Sequence, residues 1–236
     1  MEREEAAVGE ETATGAREPT RGRGDAPPRQ HLWDVLLQMD DEAPGYGMYT
    51  YVLFGRRLDL SSLDQETLQR YQQLLDAIVG STLSSGEAGD LTAAEKQATN
   101  LLYIPGTVRG SAPSLANYNS ALAMRYLVEL GRVSRADNQE VAERLATRPG
   151  PFLVSVLKPV GTIDSRQTTL LYADLSTTNP AAMEEIVAAY KLRVSRNSLD
   201  EVQQFAPLRL ALLNLVLNTD DNIKLVKAAL AVWIPQ

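Results

Sequence analysis

The sequence predicts an α/β (or α+β) fold, a single layered domain with about four strands and six to eight helices packed around a small sheet. Three observations predict it. Segments with apolar residues at helical spacing alternate with short runs rich in aromatic and β-branched residues. Gly and Pro clusters punctuate these segments. Hydrophobic residues are 44 % and charged residues 22 % of the 236, the balance of a globular chain.

Residues 1–30 stand apart. They carry seven acidic residues and five arginines, and their only larger aliphatic side chains are Met1 and Val8. Such a segment buries too little apolar surface to offset its ordering entropy, so a disordered tail over 1–30 and one α/β domain over 31–236 are expected. The RGD at Arg23-Gly24-Asp25 is read as chance in an Arg- and Gly-rich tail.

The folded part opens at His31. Leu32, Trp33, Leu36 and Leu37 suggest a helix over 31–37, ended by Asp40 to Gly45. Met48 to Phe54 reads as a strand. Ser62 and Gln65 form a capping-box pair for a helix through Leu68, Tyr71, Leu74, Leu75 and Ile78, stopped at Gly80. Asn100 to Ile104 is a short strand closed by Pro105-Gly106. A helix from Ser114 to Leu130 ends at Gly131, and a shorter one follows from Asp137. Phe152–Leu157 and Thr168–Leu175 read as a central antiparallel hairpin. Asn179-Pro180 opens a helix buried along Met183, Ile186, Val187, Tyr190 and Val194. A helical segment from Ser198, kinked or restarted at Pro207, an apolar helix over 208–217 and a final helix capped by Thr219 or Asp220 follow.

Composition removes several kinds of chemistry. There is no Cys, so thiol nucleophiles, disulfides and Cys-based zinc sites are excluded. The single histidine, His31, excludes any mechanism needing two imidazoles in one chain. A net charge of −7 disfavours nucleic acid and anionic lipid as partners. No apolar run approaches the roughly 18–20 residues needed to span a bilayer. No cofactor and no metal is expected. Asp40-Asp41-Glu42 and Asp220-Asp221-Asn222 lack the alternating ligands of a calcium loop. The polar tail and the absence of Cys favour an exported or cell-envelope setting over the cytoplasm.

Three loops are candidate sites. Asp174, Ser176 and Thr177 lie between a strand and a helix N-terminus, where free amides attract anions. Arg109 and Ser111 lie in the Gly106–Pro113 loop, again between strand and helix. Arg56 and Arg57 follow the strand ending at Phe54. Each has a local alternative: helix capping, an ordinary surface loop, solvated charge. Ser155 and Lys158 spell S-x-x-K, but on a strand the pair lacks the helical turn that brings Lys to Ser.

Without thiols or paired imidazoles, the favoured function is a non-catalytic module that engages another protein, tethered by its N-terminal tail. An exposed apolar patch around Tyr46 to Phe54, or on the last helix, is the expected mark of such a module. The alternative is an enzyme or binding protein for a small anionic ligand. It would be held at loops 55–57, 106–111 and 174–178, and those loops would have to share one edge of the sheet.

Overall fold

Residues Gln30–Leu36 form a strand, β1, and not the helix expected from their spacing. Seven residues pair in parallel with Thr99–Pro105, from Gln30 opposite Thr99 to Leu36 opposite Pro105. Both faces of β1 are covered, so its apolar residues lose the alternation that marks a half-exposed strand. A short apolar run of this kind carries no period that separates strand from helix.

The computed structural model describes residues 30–55, 62–134, 139–163 and 170–196. The expected tail up to residue 29, Arg56, Arg57, Asp137, Thr168, Thr169 and the helices expected from Ser198 onward lie outside the described residues, whereas Gln30, the last residue of that tail, is the first of β1. After β1 come β2 (Met48–Leu53), α1 (Gln65–Ser81), β3 (Leu83–Ser84), α2 (Ala93–Gln97) and β4 (Thr99–Pro105). Then come α3 (Ser120–Ser134), α4 (Gln139–Thr147), β5 (Phe152–Val156), β6 (Leu171–Asp174) and α5 (Met183–Arg196). The described residues thus hold six strands and five α-helices, where about four strands and six to eight helices were expected. The two added strands are β1 and the two-residue β3.

The strands form one mixed sheet in the order β3-β1-β4-β2-β5-β6. The expected antiparallel pair is present, with Phe152 opposite Asp174 and Ser155 opposite Leu171, but it is not central: among the described residues β6 is the edge strand of the sheet. One face carries Tyr49, Tyr51 and Tyr103, and Tyr126 of α3 stacks on Tyr51 at 5.1 Å. On the other face Tyr190 of α5 bonds to Ser155, and α1 packs beside α5. The result is a three-layer arrangement with a buried sheet.

Helix ends deviate where local chemistry outweighs the pattern. Asp64, not Ser62, caps α1 by accepting the Thr67 N–H at 2.7 Å. The helix runs through Gly80 to Ser81. Ser114 opens only a 3-10 turn, Leu115–Asn117; Tyr118, extended where it bridges to Gly106, interrupts the helical run, and the α-helix starts at Ser120. Gly131 is interior to α3.

All nine tyrosines are buried. Their hydroxyls pin loops to the sheet. Tyr103 Oη accepts the Ala43 N–H at 2.6 Å, and Tyr49 Oη accepts that of Tyr46 at 3.1 Å. Tyr118 Oη accepts the Phe54 N–H at 3.0 Å and donates to the Val52 carbonyl at 3.2 Å. Tyr51 Oη donates to Glu42 at 3.0 Å and accepts the Val160 N–H at 3.1 Å. Burial raises the phenols of Tyr51, Tyr103, Tyr118, Tyr126 and Tyr172 above their ordinary value, since a buried phenolate is poorly solvated. The segment from Tyr46 to Phe54 is therefore core and not the exposed apolar patch expected of a docking module.

Candidate functional site

Strands β1, β4 and β2 are mutually parallel, and β5 runs antiparallel between β2 and β6. It follows that β1, β2, β4 and β6 all end on one edge of the sheet. The loops that begin after Leu36, Leu53, Pro105 and Asp174 leave from that edge. Open α/β sheets commonly place ligands there. Arg56 and Arg57 follow β2 but lie outside the described residues.

At the β6 end, the polar groups bind one another. Ser176 Oγ accepts the buried Gly150 N–H at 2.9 Å and donates to Asp174 Oδ1. The Ser176 N–H also reaches Asp174 Oδ1, at 3.0 Å. Arg144 Nη1 lies 3.8 Å from Asp174 Oδ2 while its other amino group bonds Glu140 at 2.8 Å. Buried Arg70 donates from Nε to the Thr178 carbonyl at 2.7 Å. The Leu175 N–H meets the Pro151 carbonyl at 2.9 Å, so Pro149 to Pro151 threads between the exits of β2 and β6. Thr177 is exposed beside this knot. The first turn of α5 already carries Glu184 and Glu185, whose charge satisfies the helix dipole and opposes a second anion.

At the β4 end, Asn117 braces the loop. Its Oδ1 accepts the Ser114 N–H at 2.7 Å, its Nδ2 donates to the Ala112 carbonyl at 3.0 Å, and its carbonyl accepts the Thr107 N–H at 2.9 Å. Ser111 is half-buried in this loop. Val108 and Arg109 project at the tip, with Val108 51 % exposed. Arg109 pairs with Asp41 in the loop leaving β1, and that bond raises its pKa. Asp41 Oδ2 also lies 3.4 Å from the Leu37 nitrogen. Leu37, 37 % exposed, sits beside the Gly106 N–H bond to the Leu36 carbonyl. Arg109 is thus drawn toward β1, on the flank of β4 away from β6. Strands β2 and β5 separate the β4 and β6 exits, about 14 Å at normal strand spacing. The shared edge joins Leu37, Asp41, Val108 and Arg109 in one group and Asp174, Ser176 and Arg144 in another.

A third constellation escaped the sequence reading. Thr50, Asn100 and Ser155 are fully buried on neighbouring strands. Thr50 Oγ1 donates to Asn100 Oδ1 at 2.9 Å, contacts Ser155 Oγ at 2.9 Å and touches Tyr190 Oη, which lies 2.5 Å from Ser155 Oγ. Asn100 Nδ2 is 3.3 Å from His31 Nδ1. His31 Nε2 is 2.9 Å from Ser195 Oγ and 3.0 Å from the Lys191 carbonyl. The order hydroxyl, imidazole, amide resembles a nucleophile with its base and orienting group. The carbonyl decides otherwise. It only accepts, so Nε2 must carry the proton and has no lone pair with which to activate Ser195. His31 therefore ties β1 to the last turn of α5. Single polar residues inside apolar strand runs, Thr50 and Ser155 above all, are the signal that marked this network in the sequence. Lys158, the other letter of S-x-x-K, is exposed.

Among the described residues, no three His, Cys, Asp or Glu side chains gather as a metal site, and no helix is long and apolar enough to cross a membrane. No protein-family model, curated protein or solved structure matches the chain.

Proposed function

We propose that the chain is a non-catalytic module that binds another protein through the exits of β1 and β4. One observation carries the reading: the Arg109–Asp41 pair joins two loops that display Leu37 and Val108 to solvent. A braced loop that holds an arginine in place beside exposed aliphatic side chains supports this reading, since arginine is enriched among the residues that anchor interfaces. The side chains suited to chemistry serve as internal ties instead: Ser176 to Gly150, Arg70 to Thr178, His31 to Lys191. The test is capture from native extract with the wild type and with a Leu37→Asp/Val108→Asp double variant, both checked for an unchanged melting temperature. A partner held by the first and lost by the second supports the reading. Equal recovery by both contradicts it.

A second reading, a small anionic ligand at loops 55–57, 106–111 and 174–178, is favoured by the common exit edge of β2, β4 and β6. The engagement of Ser176 and Arg109 and the charges of Glu184 and Glu185 weigh against it. Calorimetric titration with inorganic phosphate separates the two. Submillimolar binding that is lost in Arg109→Ala supports the anion site.

A further inference from the structure

We propose that His31, Asn100 and the Thr50, Ser155 and Tyr190 hydroxyls form a two-state polar switch. In it, protonation of the imidazole turns the Asn100 amide over and reverses the hydrogen-bond direction between β1, the sheet centre and α5.

The neutral state follows from the Lys191 carbonyl. It lies 3.0 Å from His31 Nε2 and fixes the proton there. Nδ1 is then an acceptor, and it faces Asn100 Nδ2 at 3.3 Å. Asn100 Oδ1 is thereby turned to Thr50 and takes its hydroxyl proton at 2.9 Å. Thr50 has given up its proton, so Ser155 or Tyr190 supplies it, and these two hydroxyls share the bond at 2.5 Å. Protons thus point from the Ser155–Tyr190 pair through Thr50 and Asn100 to His31, and from His31 to α5.

Protonation of Nδ1 sets two donors face to face. A half-turn of the amide removes the conflict, because amide oxygen and nitrogen occupy nearly the same volume. Oδ1 then accepts from Nδ1–H and Nδ2 donates to Thr50. The Thr50 proton moves by rotation to Ser155 or Tyr190, and the three hydroxyls close on one another. Each of these groups keeps a partner in both states, so the network has two satisfied arrangements rather than one intact and one broken. Thr50, Asn100 and Ser155 are sealed from solvent, while half-buried His31 admits the proton.

Among the described residues, the charged groups on the surrounding elements are these. On α5, Lys191 is directed to the Ser81 carbonyl and, at 2.9 Å, to Thr82 Oγ1; Arg193 and Arg196 belong to the same last turn. On α2, which leads into β4, Glu95 is held by Thr92 and Lys96 lies over the Tyr46 ring. On β1, Asp34 accepts the Val35 N–H at 2.7 Å. A charged imidazole donates more strongly to the Lys191 carbonyl than a neutral one, so acidification tightens the grip of β1 on α5.

Because the chain has a single histidine, NMR reads the switch without assignment ambiguity. The wild-type protein is expected to show the Nε2–H tautomer at alkaline pH. As the imidazole titrates, the Asn100 side-chain amide and the Thr50 methyl shift with the same midpoint. Amide exchange around Lys191 and Ser195 of α5 slows about two- to fivefold on protonation, as the bond from His31 becomes charge-assisted. In Asn100→Asp a carboxylate accepts from Nδ1–H, and the His31 midpoint rises by about one unit or more. An Nδ1–H tautomer at alkaline pH overturns the proposal. So do Asn100 and Thr50 signals that stay still across the imidazole titration, and the wild type alone decides this if the variant does not fold.

Discussion

Ser176 Oγ accepts the Gly150 N–H at 2.9 Å and gives its own proton to Asp174. A residue with the chemistry and position of a ligand donor is thereby spent on joining the segment before β5 to the loop after β6. Ser176→Ala leaves the buried Gly150 N–H without a partner and costs about 1–3 kcal/mol of stability. Urea unfolding measures it. Unchanged stability with altered binding of phosphate would move Ser176 from structure to function.

Tyr118 and Tyr126 differ in how their buried hydroxyls are used. That of Tyr118 holds the Phe54 N–H and the Val52 carbonyl, whereas that of Tyr126 lies within no such bond among the described residues and has the Glu42 carboxylate near it. Tyr118→Phe is expected to destabilise by about 1–3 kcal/mol, and Tyr126→Phe to be neutral or slightly stabilising. Thermal melts of the two variants side by side check the contrast.

The phenols predict the behaviour in alkali. Burial first, and the charge of Glu42 next for Tyr51 and Tyr126, hold these groups above their ordinary value of 10.0. The folded state therefore prefers the neutral phenol. This contribution to stability is complete below the unfolded value near 10 and is lost as pH rises above it toward the folded values. Phenolate absorbance at 295 nm should appear together with loss of the far-UV circular dichroism signal. Phenols that ionise near pH 10 in a chain still folded contradict the burial argument.

Two glycines separate packing from propensity. A Cβ on Gly55 collides with the Arg148 carbonyl, and backbone cannot step aside; the same atom on Gly80 meets nothing within 4 Å. Gly55→Ala should destabilise by about 1–3 kcal/mol. Gly80→Ala, inside α1, should stabilise by about 0.5–1 kcal/mol. Denaturant midpoints of both variants test the pair.

Legibility tracked burial geometry. The α5 stripe of Met183, Ile186, Val187 and Tyr190 was readable because one face of a helix is buried and the period survives. The β5–β6 pair was readable from its two apolar runs, although residues 157–170 join them in place of the short link expected. Strand β1 was not, because Leu32, Trp33, Val35 and Leu36 are buried on both faces and mimic helical spacing. The pairing of Arg109 with Asp41 depends on strand order, which places β1 beside β4 although β2 intervenes in the chain. The His31–Asn100–Tyr190 network joins residues far apart in sequence, so its only local sign is a polar residue such as Thr50 or Ser155 inside an apolar run.

The most direct measurement is the dissociation constant of the captured partner for Val108→Asp and Ser176→Ala beside the wild type. A binding surface at the β1 and β4 exits predicts at least about a tenfold loss for Val108→Asp, near 1.4 kcal/mol, and an unchanged constant for folded Ser176→Ala. An unchanged constant for Val108→Asp, or a loss confined to Ser176→Ala, contradicts it.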